Sequence, residues 1–239
     1  MSKPNVMSLL KLVTASLLLT TIFSPVTWAQ TPAGGNSPSF KLDGEGTLLT
    51  NFVRRGLTQT ENDPAFQGSF LFNFGPQFAM GLWGSNVLYP EGSTHLWLRI
   101  MAEIKIPFSE NVKSALKYSQ NQFYATNTRN GNTLGLHLDI YKYLVSYEME
   151  SNWEGRGSGS THLAVGKIYP VFTIYNWENY IGYNMIKSEG YSNYFHFHSM
   201  IGRPFSSLAV SAGASITSAP SQFNGRGELM FILKASVLF

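Results

Sequence analysis

His196-Phe197-His198 sets two imidazoles two positions apart, and on an extended chain both project from one face. A metal ion could bridge that spacing, but zinc takes three or four ligands. The chain has no cysteine to complete a set. His95, His137 or Asp139 could join only if the fold brought them opposite, so no metal site is expected. Ser160 and His162 are the second pair with possible chemistry, a hydroxyl that an imidazole could activate if a third group oriented it. No Gly-x-Ser-x-Gly segment accompanies them. Nothing resembles a phosphate-binding loop, and no basic run offers a nucleic-acid surface. The expectation is therefore no enzyme, no cofactor and no nucleic-acid partner, with a lipid-modifying enzyme kept as the alternative through Ser160 and His162.

The other charged groups are spaced for a different task. Lys41, Asp43 and Glu45 alternate with apolar or small residues, and so do Arg99, Glu103 and Lys105. Lys113, Lys117, His137, Asp139, Glu148, Glu150, His196, His198 and Lys234 extend the series, and His95 falls on the same phase. Arrayed around a lumen, such groups could line a path for small polar solutes and set its selectivity. Alternatively, opposite charges could pair across the lumen and hold it nearly shut. Lys113 and Lys117 place only cations on one wall, which would favour anions. Arg54, Arg55, Glu61 and Asp63 cluster in a single polar stretch that could constrict or cap a mouth.

The elements that must carry these groups show a period of two. In THLWLRIMAEIKI, Leu96, Leu98, Ile100, Ala102, Ile104 and Ile106 take one face; His95, Trp97, Arg99, Met101, Glu103 and Lys105 take the other. A helix would scatter them, so this is strand. Strands are expected near 40–52, 65–74, 77–88, 94–107, 111–124, 133–141, 143–152, 161–169, 172–184, 192–203, 206–217 and 228–239. The eighth and ninth are the least regular, because Pro170 sits between them. Connections after odd-numbered strands are longer and polar, while those after even-numbered strands are tight (FGPQ, PFSEN, YK, YPV, RPFS). This parity fits an up-and-down transmembrane barrel with long loops outside and short turns in the periplasm.

Composition agrees. Only 13% of the 239 residues are charged and 14% are aromatic, against about 25% charged in soluble domains. Residues 1–29 read as a cleaved signal peptide: Lys3 and Lys11, the apolar stretch Leu9 to Phe23, then Thr27-Trp28-Ala29. Its removal takes two lysines and no acid, bringing the net charge from +3 to about +1. Residues 30–39 form a Pro/Gly/Ser linker, and 40–239 the barrel domain. No apolar run beyond the leader approaches the ~18 residues of a membrane helix. With helices excluded, only closed barrels satisfy their backbone in lipid. A soluble sandwich would bury the apolar face instead. The apolar stripe Leu229, Phe231, Leu233, Ala235, Val237, Phe239 favours lipid outside. The expected fold is thus all-β, an antiparallel barrel of about twelve strands in the bacterial outer membrane. The expected function is a passive channel, with a closed structural or adhesive barrel as a further alternative.

One segment is more specific. Asn51 to Val87 contains Arg55-Gly56, Gln59, Asn62-Asp63-Pro64-Ala65, Gln67-Gly68 and Trp83-Gly84-Ser85-Asn86. In these motifs it resembles the TorF-type family of Gram-negative outer-membrane porins. The chain departs from the family at Phe52-Val53-Arg54 and Ser69, and it lacks Asp-rich outer loops. The resemblance implies an outer-membrane barrel but leaves the solute open. A last strand ending in Phe239 also resembles the signal that the barrel assembly machinery reads. The Arg55-Gly56 and Asn-Asp-Pro residues make sense as turn chemistry. Trp83 to Asn86 are expected to be a strand end with interfacial packing.

Overall fold

The computed structural model describes residues 40–89, 95–124 and 127–239. The expected leader and linker, residues 1–39, lie outside the described residues. The strands are β1 (Phe40–Leu49), β2 (Val53–Arg54), β3 (Leu57–Thr58), β4 (Ala65–Phe74), β5 (Phe78–Asn86), β6 (Leu96–Ser109) and β7 (Val112–Tyr124). They continue with β8 (Gly131–Ile140), β9 (Tyr143–Glu150), β10 (Ser160–Val171), β11 (Tyr175–Ile186), β12 (Tyr194–Phe205), β13 (Leu208–Thr217) and β14 (Met230–Leu238). All except β2 and β3 pair antiparallel with their sequence neighbours, and β14 pairs with β1, giving a closed barrel of twelve strands. β2 and β3 form a separate small hairpin within the first long connection.

Closure follows from the alternation. Phe66, Leu82, Ile181, Phe195 and Leu233 all point outward and are exposed, and the polar phase of every strand points inward. A sheet with one apolar face in lipid can leave no unpaired edge there. The seam is completed at the last residue. Phe239 N–H donates to Gly44 O and Gly44 N–H donates to Phe239 O. A Cβ at Gly44 would collide with the Phe239 ring, so glycine is what lets that ring lie flat on β1. The expected outward stripe on β14 is therefore present to its end.

Loop parity is also present. Residues 50–64, 151–159, 187–193 and 218–229 join strands at one end, whereas 75–77, 110–111, 141–142, 172–174 and 206–207 join them at the other. Tyr141 and Lys142 both have positive φ, 51° and 69°. That is the two-residue hairpin geometry whose twist matches the strands.

One boundary differs from expectation. Pro170 does not separate the eighth and ninth barrel strands; it lies inside β10, opposite Asn176, and the turn falls at 172–174. The reason is register. The last pair between β9 and β10 is Lys167 with Tyr143, so Pro170 sits on an overhang where its missing N–H breaks no bond to β9. Pro107 and Pro204 occupy the same kind of overhang, beyond the last pairs Phe78–Ile104 and Asn176–Gly202.

Candidate functional site

Strand register fixes what faces the lumen. The pairs Glu103–Lys117, Lys113–Asp139, Gly135–Glu148, His162–Glu148 and Tyr180–His198 each bring two inward-facing residues side by side. Lys41, Asp43, Glu45, Arg99, Lys105 and His137 share the inward phase. His95, by contrast, is exposed at a strand end. His162, whose facing the sequence leaves open, points inward and is buried.

Most of these charges are paired. Lys41 Nζ lies 2.6 Å from Asp43 at the exposed short-turn rim. Asn73 donates to Asp43 at 2.8 Å and accepts from Lys105 at 3.2 Å. Lys117 lies 3.4 Å from Glu103, and Lys234 lies 3.8 Å from Glu45. The lysine wall is thus flanked by acids, Glu103 beside Lys117 and Asp139 beside Lys113. That arrangement opposes the anion preference expected from the lysines alone.

The long-loop mouth holds the densest cluster. Residues 50–64 dip into the barrel, and their inward tip is Arg54-Arg55-Gly56. Arg55 Nη2 donates to Glu148 Oε2 and Nη1 to Glu150 Oε2, both at 2.8 Å. Its Nη1 also reaches Ser160 Oγ at 3.2 Å. Arg54 Nη1 lies 3.2 Å from Glu150 Oε1. Arg55 has positive φ (49°), as does Gly56 (77°). A Cβ at Gly56 would lie 2.5 Å from His196 Cβ and 2.6 Å from Thr217 Cγ2, so glycine lets the loop lie directly on β12 and β13. Glu61 and Asp63, expected in the constriction, are exposed on the loop's return limb. Glu61 and Asn62 take positive φ (50° and 71°) to turn the chain outward there.

The segment resembling the porin family supplies the fasteners. Asn51 Nδ2 donates to Asn62 Oδ1, and Asn51 Oδ1 accepts from Thr58 Oγ1 at 2.6 Å. Gln59 Oε1 accepts from Tyr89 Oη, and Gln59 O from Leu88 N–H. Asn86 accepts from Phe66 N–H and donates to Pro64 O. Trp83 is not interfacial: it is buried inside, edge-on to Trp97 and Phe52. The Arg99 guanidinium lies 4.8 Å from the Trp83 ring and 4.4 Å from the Trp97 ring, making a cation–π contact with each. This aromatic plug fills the lumen beside β5, β6 and β7.

A second ionic knot lies above it. Glu154 accepts from Arg129 at 3.1 Å and lies 2.9 Å from Arg226 Nη1, while Arg226 also donates to Thr58 O. Burial alone would raise the Glu154 carboxyl, but Arg226 and Arg129 more than offset that and hold it at about 2. Burial pushes the neighbouring Tyr89 hydroxyl up, so it remains a neutral donor to Gln59. Arg129 stacks 3.6 Å from the Tyr89 ring. Nothing in the periodicity of the strands marks Glu154, Arg129 or Arg226, because the knot joins three separate loops.

A cavity of about 270 Å³ lies along β1 and β9–β14, with Trp83 and Arg99 also on its wall. It runs from Arg55 and His162 under the inward loop to Arg203 and Leu238 at the short-turn end. Glu178 lines it from β11, a residue the blurred phase near Pro170 concealed. His196 and His198 do not converge: His196 meets His162, and His198 stacks on Tyr180 with centroids 4.7 Å apart. Among the described residues no group of three or more His, Cys, Asp or Glu is placed to hold a metal ion.

Solved structures share this architecture. A KdgM porin superposes with a TM-score of 0.53 at 9% identity, covering 83% of this chain and 97% of that one. KdgM in complex with disordered oligogalacturonate gives 0.52 at 9%, covering 83% and 98%. A NanC porin gives 0.54 at 10%, covering 83% and 99%. The fold is that of a porin-like outer-membrane barrel. No family model and no curated protein matches the chain.

Proposed function

We propose that the protein is a passive outer-membrane channel for small polar solutes. One observation carries this reading: a membrane barrel encloses a cavity walled by charges of both signs, reaching from the capped mouth to the short-turn end. The twelve-stranded fold held in common with KdgM and NanC porins supports it, as does the TorF-like segment, whose Asn51, Thr58, Gln59 and Asn86 pin the mouth loop. Solutes would cross by diffusion past paired charges, with no covalent chemistry. Because the pairs nearly cancel, we assign neither strong cation nor strong anion preference.

The same reading places the long loops outside the cell and the short turns in the periplasm. It also places a cleaved leader before the barrel and gives β14 with Phe239 the role of the segment read by the assembly machinery. The deciding experiment is conductance of the purified protein in planar bilayers. Discrete current steps with weak ion selectivity are expected, and complete silence at every potential and pH would overturn the channel.

A closed structural barrel is the second reading, and the Arg55–Glu148–Glu150 cap with the Glu154 knot favours it. Such a barrel would stay silent even after Arg55→Ala, whereas a capped channel would conduct. The enzyme alternative loses its motivation here, because Ser160 accepts from Arg55 and His162 faces His196.

A further inference from the structure

We propose that His162 and His196 form a proton-operated latch that holds the inward loop in place at neutral pH and releases it on acidification. The effect on current rests on the channel reading; the movement of the loop does not.

The two Nε2 atoms lie 3.0 Å apart, and both rings are buried. Their planes differ by only 22° and their centroids are 5.2 Å apart, so the imidazoles meet head to head. Only one N–H fits between two nitrogens at that distance. At least one imidazole of the pair is therefore neutral. Adding the second proton puts two N–H groups and two positive charges against each other.

Neither ring can retreat into the wall. Gly182 lies behind the contact, and a methyl there would overlap both Nε2 atoms, so the pair already uses the space that glycine provides. Toward the lumen Gly56 of the inward loop packs on His196, where an added Cβ would lie 2.5 Å from its Cβ and 3.2 Å from the ring's Cγ. The loop is a connection between β1 and β4 and stands outside the barrel's hydrogen-bonded wall, so separation of the rings moves the loop.

Electrostatics act in the same direction. From β9, Glu148 Oε2 lies 3.8 Å from His162 Nδ1 and also receives Arg55 at 2.8 Å. A protonated His162 competes with Arg55 for that carboxylate. From β8, His137 Nε2 lies 3.5 Å from Glu148 Oε1, a further claimant if charged. Within the mouth, Arg54 and Arg55 balance Glu148 and Glu150. Two added protons leave that group with an excess of positive charge facing the loop's own arginines. β11 presents Tyr180 and Asn184, β12 presents His198 and Tyr194, and β13 presents Thr217; none of these supplies an anion to the pair. Arg99 lines the same cavity and adds to the positive side.

The test uses the absence of native cysteine. Val53→Cys, at a position of the inward loop that lines the cavity, takes a nitroxide label in the full chain reconstituted in phospholipid vesicles. Electron paramagnetic resonance is followed from about pH 8 to about pH 3, well past the ordinary imidazole value near ~6.5. An immobilised label at neutral pH and a mobile one at acid pH are expected. His162→Gln and His196→Gln, which keep a hydrogen-bonding side chain but do not titrate, should lose that transition. Parallel bilayer recordings should show an acid-induced rise in current that the same variants lose. A label equally immobile at about pH 3, or a transition that persists in both variants, would overturn the latch. Release of the label with no current at any pH would leave the latch standing and remove the channel.

Discussion

At the scale of single residues, the mouth is held by groups that tolerate no simple replacement. Arg55 neutralises two buried carboxylates at once, and removing one partner of a buried pair costs roughly 3–5 kcal/mol. Arg55→Ala should lower stability by about that amount and increase unitary current, read by denaturant unfolding in micelles and by bilayer recording. An unchanged current would show that the loop does not occlude the path. Gly56 has φ of 77° and no room for a Cβ beside His196. Gly56→Ala should cost at least ~1–2 kcal/mol from the left-handed backbone alone, and should open the mouth as Arg55→Ala does. Both residues are visible in the sequence as a short motif. Their meaning is not, since Glu148 and Glu150 are more than ninety positions away.

At the scale of elements, the outer loops are tied by Glu154. Its carboxyl in the folded protein lies at about 2, below its ordinary 4.5. A depressed carboxylate stabilises the fold fully above 4.5, and the contribution is lost as pH falls toward about 2. Protease resistance of the outer loops should therefore hold at neutral pH and decline through that acid window. Glu154→Gln should flatten the decline by removing the advantage at neutral pH; a wild-type profile in this variant would show that the knot is inconsequential. The opposite end offers a stabilising change. Tyr141 and Lys142 both occupy positive φ, where Asn-Gly is preferred. Replacing them with Asn-Gly should raise unfolding stability by about 1 kcal/mol. The parity of loops and the twelve strand positions were legible from alternation, because inward and outward residues differ in kind. The Pro170 boundary was not, because a proline reads as a turn unless one knows that its neighbour strand has already ended.

At the scale of the whole molecule, closure depends on the seam between β1 and β14. Phe239 lies over Gly44 and edge-on to Phe70. Phe239→Ala should reduce the yield of the heat-modifiable folded form in membranes, with refolding from urea into detergent affected less. Equal yields in membranes would show that the ring serves only packing. The barrel's interior is divided: an aromatic plug around Arg99 fills one side, and the cavity of about 270 Å³ occupies the other. The charged residues of the alternating series lie on the inward phase of their strands, His95 excepted, but pairing decides the field inside the barrel. Lys117 beside Glu103 shows this, since a wall of lysines on one strand is offset by an acid on the next.

The sequence by itself determined the strands, their faces and the closed barrel, because a period of two with greasy residues on one phase allows no other arrangement in lipid. It also marked the first loop as special. Only the tertiary structure decided that this loop folds inward, that Arg55 meets Glu148 and Glu150, and that His162 meets His196. Alternation sets which side of a strand a residue occupies, but contact across the lumen depends on the register summed over all twelve strands, and no local pattern carries that sum.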